Sequence, residues 1–392
     1  MNINPIITSM LDDDLYKFTM GAVVFHNFPT VDVTYKFFNR AKTQFPVGFA
    51  IELKKQIQSL SNLVLSDKEE IYMRSQPFNK TYVEWLKNYT YDPSEVYIDQ
   101  HGGDLTIEIN GLWYRTIYWE VKLMAIISEL YFIMTEQNLG DNWYANIVNT
   151  ADKLSKNGCN WSDFGTRRRY SNFIQDQVVK HQKLYAGFKG TSNPHFAMKY
   201  DVPVKGTYAH ESIMAMQGLY GVEVANTTWM KVWSEYYHGL FGIALTDTFT
   251  TDVFLRSFNN YYARLFDGVR HDSSDPFEWG DKMITHYNKL GIPTRDKTFV
   301  FSDGLNADKY IEIHNHFKKE VKPFGGIGTF LTNNVGEHVI PLNMVIKMTY
   351  IIDNNRRKYV VKLSDSSGKH TGNLHTIDNI KEELILLNGM IG

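Results

Sequence analysis

Arg270, His271, Asp272 and Asp275 stand together in GVRHDSSDP, where an apolar run stops. Two carboxylates three residues apart beside a guanidinium suit Mg2+ and a phosphorylated sugar. The acids hold the cation or the sugar hydroxyls while the arginine faces phosphate. A capped turn is the competing reading, because Asp and Ser are favoured helix N-caps and Asp-Pro is turn-like. His210 stands beside Glu211 in KGTYAHES, at the end of an expected strand. A histidine so placed can serve as a base, a metal ligand or a phosphoryl acceptor; a hydrogen-bonded structural histidine is the alternative. Gly325, Gly326, Gly328 and Thr329 in FGGIGT, like Ser302, Asp303 and Gly304 in FSDGL, read as Gly-rich turns leading from strand to helix, whose exposed N–H groups cradle phosphate. A lone turn of this kind says little; two of them late in a series fit the phosphate site of a barrel. DFGTRRR, residues 163–169, brings a ring and three guanidiniums to a turn. Arginine offers a planar fork to a carboxylate, and Phe164 a face to a flat ring. For at least one of Arg167, Arg168 and Arg169, a basic helix start on a solvated face is expected. Asp12, Asp13 and Asp14 read as favourable helix-start charge. His314 and His316 fall on one amphipathic helix but face apart, so metal binding is not expected there.

The elements that position these residues follow from periodicity. Residues 11–25 read as a helix, residues 31–38 alternate as a strand, and helical patterns dominate up to about Ile133. From Lys189 onward, short β-branched runs each end in a cluster of Gly, Ser, Thr, Asp or His and lead into a helical stretch. Candidate strands start at Val202, Gly242, Asp267, Lys297 and Pro323, roughly 25 to 40 residues apart, the length of a βαβ unit. An α/β barrel or a doubly wound sheet follows, and in both folds ligands bind at the carboxyl ends of the strands. NMVIKMTYII and KYVVKLSD alternate like antiparallel strands and are expected to fold back on the N-terminal segment.

Composition narrows the function classes. The 392 residues are 43% hydrophobic and 14% aromatic, enough to bury a core in one or two domains. With 21% charged residues and a formal net charge of -2, the chain has neither the signature of disorder nor the basic excess of a nucleic-acid binder. No nucleic-acid partner is expected. A single cysteine, Cys159, forbids an intrachain disulfide and points to a reducing compartment, the cytoplasm. Acids occupy the N-terminal stretch where a signal peptide would be basic, and no apolar region follows, so export is not expected. Arg115, Glu120, Lys122 and Glu129 interrupt the apolar residues 112–134, which therefore read as a buried helix and not a membrane span.

In chain order, SMLDDDLYKFTM, DFGTRRR, GFKGTSN, KGTYAHE, GVRHDSSDP, FSDGL, GIGTFLTN and KLSDSSGK resemble the motifs of the nicotinate phosphoribosyltransferase family in its bacterial form, from Ser9 to Lys369. The resemblance implies a type II phosphoribosyltransferase. Its fold would be an irregular α/β barrel (136–339) beside an α/β sandwich of residues 1–135 completed by about 340–392, working as a homodimer with shared sites. The implied reaction joins nicotinate to phosphoribosyl pyrophosphate, giving nicotinate mononucleotide and pyrophosphate for NAD salvage. Mg2+ takes part, and ATP hydrolysis is coupled through a phosphohistidine at His210. On that basis Arg270 and Asp272 lie at the ribose and pyrophosphate region, with Asp247 of LTDTF on the same rim. The pyridine ring would stack between Phe164 and a Tyr16 reaching in from the neighbouring subunit, and Arg167 would pair with the carboxylate. Ser192 stands where the related nicotinamide enzyme has an aspartate, so a fixed charge that would repel the acid is absent. The product phosphate would lie over Gly304, Gly326 and Gly328, with Thr329 nearby. Arg40, Lys362, Ser364 and Lys369 resemble phosphate-binding positions facing the neighbouring subunit's site. The family often has DSGDP, whereas this chain carries Ser274 at the glycine position, with less freedom at positive φ. The alternatives are nicotinamide as substrate, a metal-dependent barrel hydrolase with His210, His271 and Asp272 as ligands, and a nucleotide-sensing protein that binds without turnover.

Overall fold

Alternation in VDVTYKFF turns Val33, Tyr35 and Phe37 inward and leaves Lys36 exposed, and the segment forms β1 (Asp32–Asn39). This and all that follows is read from a computed structural model, which describes residues 3–366 and 369–389. Ser367 and Gly368 of the KLSDSSGK motif, and the outermost residues of the expected sandwich segments, lie outside the described residues. β1 lies in an antiparallel sheet with β2 (Val96–His101), β3 (Asp104–Leu112), β10 (Met344–Asp353) and β11 (Arg356–Tyr359), in the order β11-β10-β1-β3-β2. The C-terminal strands therefore return to the N-terminal segment, with Phe37 opposite Ile346 and Asp32 opposite Ile352. The second of the expected strands is short. It stops at Tyr359, and residues 360–366 continue as a strap across the other sheet.

That other sheet is parallel, with six strands in the order β5-β4-β9-β8-β7-β6. Three of its members, β6 (Ile243–Leu245), β7 (Gly268–His271) and β8 (Thr298–Phe301), fall inside the expected runs, and β9 (Lys322–Ile327) begins one residue ahead of its own. The two others, β4 (Trp161–Asp163) and β5 (Phe188–Thr191), are three and four residues long and carry no alternation to read. The expected strand from Val202 to His210 is a correction. Pro203 lacks an N–H for a ladder, and only Val204 makes a bridge, with Thr191 of β5. The segment still spans the gap between the sheet's two edges. Lys205 N–H donates to the Thr191 carbonyl (2.8 Å) on one side, and the Thr207 hydroxyl donates to the Ile243 carbonyl (3.0 Å) on the other. Six strands and this irregular stave make an irregular α/β barrel. Gly190, at φ 113°, permits the junction, because a Cβ there would lie 1.7 Å from the Pro203 carbonyl oxygen. Gly206 lets the helix Leu15–Asn27 press in: a Cβ would meet Leu15 and the Tyr16 backbone at 3.3 Å.

The apolar residues 112–134 form a short turn of helix, Trp113–Thr116, and the buried helix Trp119–Met134. Among the described residues no helix is long and apolar enough to cross a membrane.

Candidate active site

His210 is the first residue of the helix His210–Tyr220 and is 5% exposed. Its Nδ1 lies 3.0 Å from Thr248 Oγ1, and its Nε2 lies 2.8 Å from Lys362 Nζ and 3.0 Å from Asp272 Oδ2. An ammonium only donates and an ionised carboxylate only accepts, so a neutral ring whose Nε2 accepts from Lys362 carries its proton on Nδ1, facing Thr248, whereas one whose Nε2 donates to Asp272 accepts at Nδ1. Burial, with the adjacent Lys362 cation, pushes the imidazole down to about 4, so the ring is neutral near pH 7. Asp272 is held in the opposite sense: burial pushes its carboxyl up, but Arg270, His210 and Lys362 outweigh it and keep it ionised.

The strands deliver the rest. At the end of β7, Arg270 Nη2 donates to Asp272 Oδ1 (3.1 Å) and its Nε to Ser302 Oγ (2.9 Å), which follows β8. After β6, Asp247 accepts from Ser273 (2.5 Å) and pairs with Lys362 (3.2 Å), while its Oδ1 is buried without a partner. His210, Asp247 and Asp272 bring one ligand atom each within 4.8 Å of one another. The partnerless Asp247 oxygen and the Asp272 carboxylate suit a hard cation such as Mg2+. The hydrolase ligand set is not assembled: His271 Nε2 faces the Ser274 carbonyl (3.3 Å), and its ring packs on Trp279 and Phe301.

Two adjoining cavities open here. The larger, about 420 Å³, is lined by Phe164, Arg167, Arg168, Arg270, Asp272 and Ser302 together with Gly304, Gly326, Gly328 and Thr329. The smaller is lined by Tyr16, Glu120, Arg167, His210, Arg270, Asp272 and Lys347. Gly326 makes room for the aromatic slot, since a Cβ would lie 2.5 Å from the Phe164 ring. Arg167 faces both cavities. Its closest carboxylates, on Glu120 and Asp14, are 3.7 and 3.9 Å away, beyond hydrogen-bonding range. Arg168 is lowered to about 10 by burial and by Arg167 and Arg40 nearby. None of the three arginines stands on a solvated face; Arg169 is fully buried on Asp12 at 2.7 and 2.8 Å.

One expectation needs correction. Asp12, Asp13 and Asp14 are buried partners and not helix-start decoration: Asp13 binds Lys122 at 2.8 Å, and Asp14 accepts from Ser192 at 2.6 Å. Ser192 is therefore spent on a carboxylate, lines neither cavity, and brings a negative group near Arg167. Within the single chain, Tyr16 lines the smaller cavity, with Arg167 6.0 Å over its ring. Lys362 reaches its own chain's His210, and Lys369 pairs with its own Asp303 at 2.7 Å. Ser364 is buried in the strap at φ 66°, and Arg40 is exposed just past β1. Ser274 adopts φ 75°, so the turn does need the conformation that glycine favours; its N–H donates to Ser366 Oγ (2.9 Å). Lys347, Glu120 and Lys17 were not read from the sequence as site residues. Lys347, in an alternating strand, looks like a solvent-face lysine; burial lowers it to about 8. The charges inside the apolar residues 112–134 were the available signal for Glu120.

The comparisons agree with this geometry. A family model described as the nicotinate phosphoribosyltransferase (NAPRTase) family matches residues 159–386, and one for the NAPRTase N-terminal domain matches residues 11–128. A nicotinate phosphoribosyltransferase of Desulforapulum autotrophicum is 46% identical over 94% of this chain and 96% of its own length. One of Chromohalobacter salexigens is 41% identical over 97% and 99%. The crystal structure of nicotinate phosphoribosyltransferase from Porphyromonas gingivalis superposes with a TM-score of 0.93 at 36% identity, covering 97% of this chain and 100% of that one. Its counterpart from Vibrio cholerae gives 0.90 at 32% identity, covering 97% and 94%. With sequence and fold matching over nearly the whole length, the chain belongs to the nicotinate phosphoribosyltransferase family.

Proposed function

We propose that the protein joins nicotinate to phosphoribosyl pyrophosphate, releasing nicotinate mononucleotide and pyrophosphate, in an ATP-dependent, ligase-type reaction that salvages the pyridine ring for NAD. The observation that carries this reading is a buried, neutral His210 whose Nε2 lies within 3.0 Å of both Asp272 and Lys362, beside a cavity walled by Arg167, Arg270 and Phe164.

The pyridine nitrogen attacks ribose C1 with its lone pair as the C1–O bond to pyrophosphate breaks, so no base is required. The transition state is oxocarbenium-like, and catalysis rests on positioning and on charge placed before the reaction. Arg167 orients the carboxylate, Phe164 offers its face to the ring, and the backbone around Gly304, Gly326 and Gly328, with Thr329, receives phosphate. Arg270 faces the departing anion, and Asp272, fixed by Arg270 and Ser302, holds the ribose side. Mg2+, held by Asp247 and Asp272, would neutralise charge on the leaving pyrophosphate. In the ATP step Nε2 attacks the γ-phosphorus, ADP leaves, and the phosphohistidine is later hydrolysed. The new anion sits beside Lys362 and tightens the loops around the sugar diphosphate. Preference for the acid rests on Arg167, with Arg168, Arg40 and Lys347 adding positive potential, and not on Ser192. We further propose a division into a barrel (136–339) and a sandwich (1–135 with about 340–392), a homodimeric assembly and a cytoplasmic setting.

Incubation with γ-labelled ATP, nicotinate and the sugar diphosphate tests the scheme. Acid-labile label on the wild type and none on His210→Ala, with mononucleotide formed, is expected; equal labelling of the variant removes the acceptor. Faster pyrophosphate release with nicotinamide than with nicotinate would transfer the reading to the amide.

A further inference from the structure

The buried charges that the reaction does not use form a chain. Lys17, fully buried, holds Glu120 Oε2 at 2.6 Å and Glu211 Oε2 at 2.5 Å. The other Glu120 oxygen is the one 3.7 Å from Arg167. The other Glu211 oxygen accepts from the Tyr35 hydroxyl (2.6 Å) and from Trp113 Nε1 (2.7 Å). Alternating charges thus run Arg167, Glu120, Lys17, Glu211, and the last sits one peptide bond from His210 in the first turn of its helix. Lys17 is fully buried and both glutamates nearly so, and these groups therefore feel one another strongly.

The link at the Arg167 end is loose, and a substrate carboxylate can take that guanidinium in a bidentate grip. We propose that Lys17 is a positioning residue that transmits occupancy of Arg167 to the setting of His210; this rests on the reading that nicotinate binds at Arg167. When a carboxylate draws Arg167 away, Glu120 claims more of the ammonium it shares. Glu211 loses part of its partner and, tied to Tyr35 and Trp113, resets the turn that carries the imidazole.

The test measures carbethoxylation of His210 by diethyl pyrocarbonate, followed by peptide mass spectrometry, with and without saturating nicotinate. Calorimetry reports nicotinate binding in parallel. In the wild type nicotinate is expected to change the rate by about fivefold or more, the low end of measured coupling between sites. In Lys17→Met the change should fall below about twofold while binding persists. Tyr35→Phe, which keeps every charge, should at least halve the effect, and it decides the matter if Lys17→Met fails to fold by circular dichroism. Direct shielding by the ligand would survive both substitutions, so full retention of the effect overturns the proposal, as does a wild-type rate that nicotinate leaves unchanged although it binds. If nicotinate does not bind the wild type, the functional reading fails and this proposal goes with it.

Discussion

At Arg167 the decisive feature is what the guanidinium lacks. Its carboxylate neighbours stand at 3.7 and 3.9 Å, so the charge is compensated without being consumed, and an incoming carboxylate gains a donor fork at little cost. Arg167→Met removes a charge-assisted hydrogen bond worth about 1.5–3 kcal/mol. The KM for nicotinate should rise by roughly ten- to a hundredfold, read from pyrophosphate release against nicotinate concentration; an unchanged KM would place the carboxylate elsewhere. Arg270, Asp272, Ser302 and His210 were legible in the sequence because each ends a run and carries unmistakable chemistry. Their partners were not. Lys17 meets Glu211 across 194 positions and Lys122 meets Asp13 across 109, distances at which a single sequence offers no pairing signal. Ser192 was visible by type, and its bond to Asp14 across 178 positions was not.

Short turns and one strap aim these side chains. Gly326 leaves a space that Phe164 fills, and Gly326→Ala would thrust a methyl group into that ring at 2.5 Å. The slot must deform, so nicotinate affinity should drop by about tenfold, equivalent to about 1.4 kcal/mol, with little loss of melting temperature. Titration of both proteins with nicotinate checks this. The strap is pinned by the Leu363 N–H on the Thr248 carbonyl (2.8 Å) and by Asp365 on the Thr251 N–H (2.8 Å) and hydroxyl (2.6 Å). Where it meets the barrel, Thr250, Ser274 and Ser364 all adopt positive φ, a concentration of strain suited to a functional junction. Strands β6 to β9 were readable because each shows an apolar run closed by polar residues. β4 (WSD) and β5 (FKGT) each carry a single large apolar residue, so no apolar run marks them, and the stave at Val204 takes its place from the two edges it bridges and not from its own propensity.

Across the whole molecule, buried ionisable groups tie stability to pH. Burial raises Glu129 to about 7, against the pull of Arg169 and of the Asn172 N–H. A carboxyl raised in the folded state contributes stability in acid and loses it as pH climbs from the ordinary carboxylate range through 7. Glu129→Gln, which keeps an acceptor for Asn172, should therefore melt higher than the wild type at pH 8, by about 1–2 °C for each kcal/mol gained, and equal it near pH 4.5. Thermal scans at the two pH values decide; no difference at pH 8 would contradict the assignment. The long reach of β10 has a consequence for synthesis. The Thr349 hydroxyl bonds the Thr34 carbonyl across 315 positions, and Lys362 reaches back to His210 across 152. A nascent chain paused after Ile327 holds every strand of the parallel sheet, yet β1 is paired on the β3 side only and the imidazole has no Lys362 beside it. Such a chain on the ribosome would be chemically silent and would expose a bare strand edge, so these late residues set the moment at which the newborn protein becomes both safe and able to work.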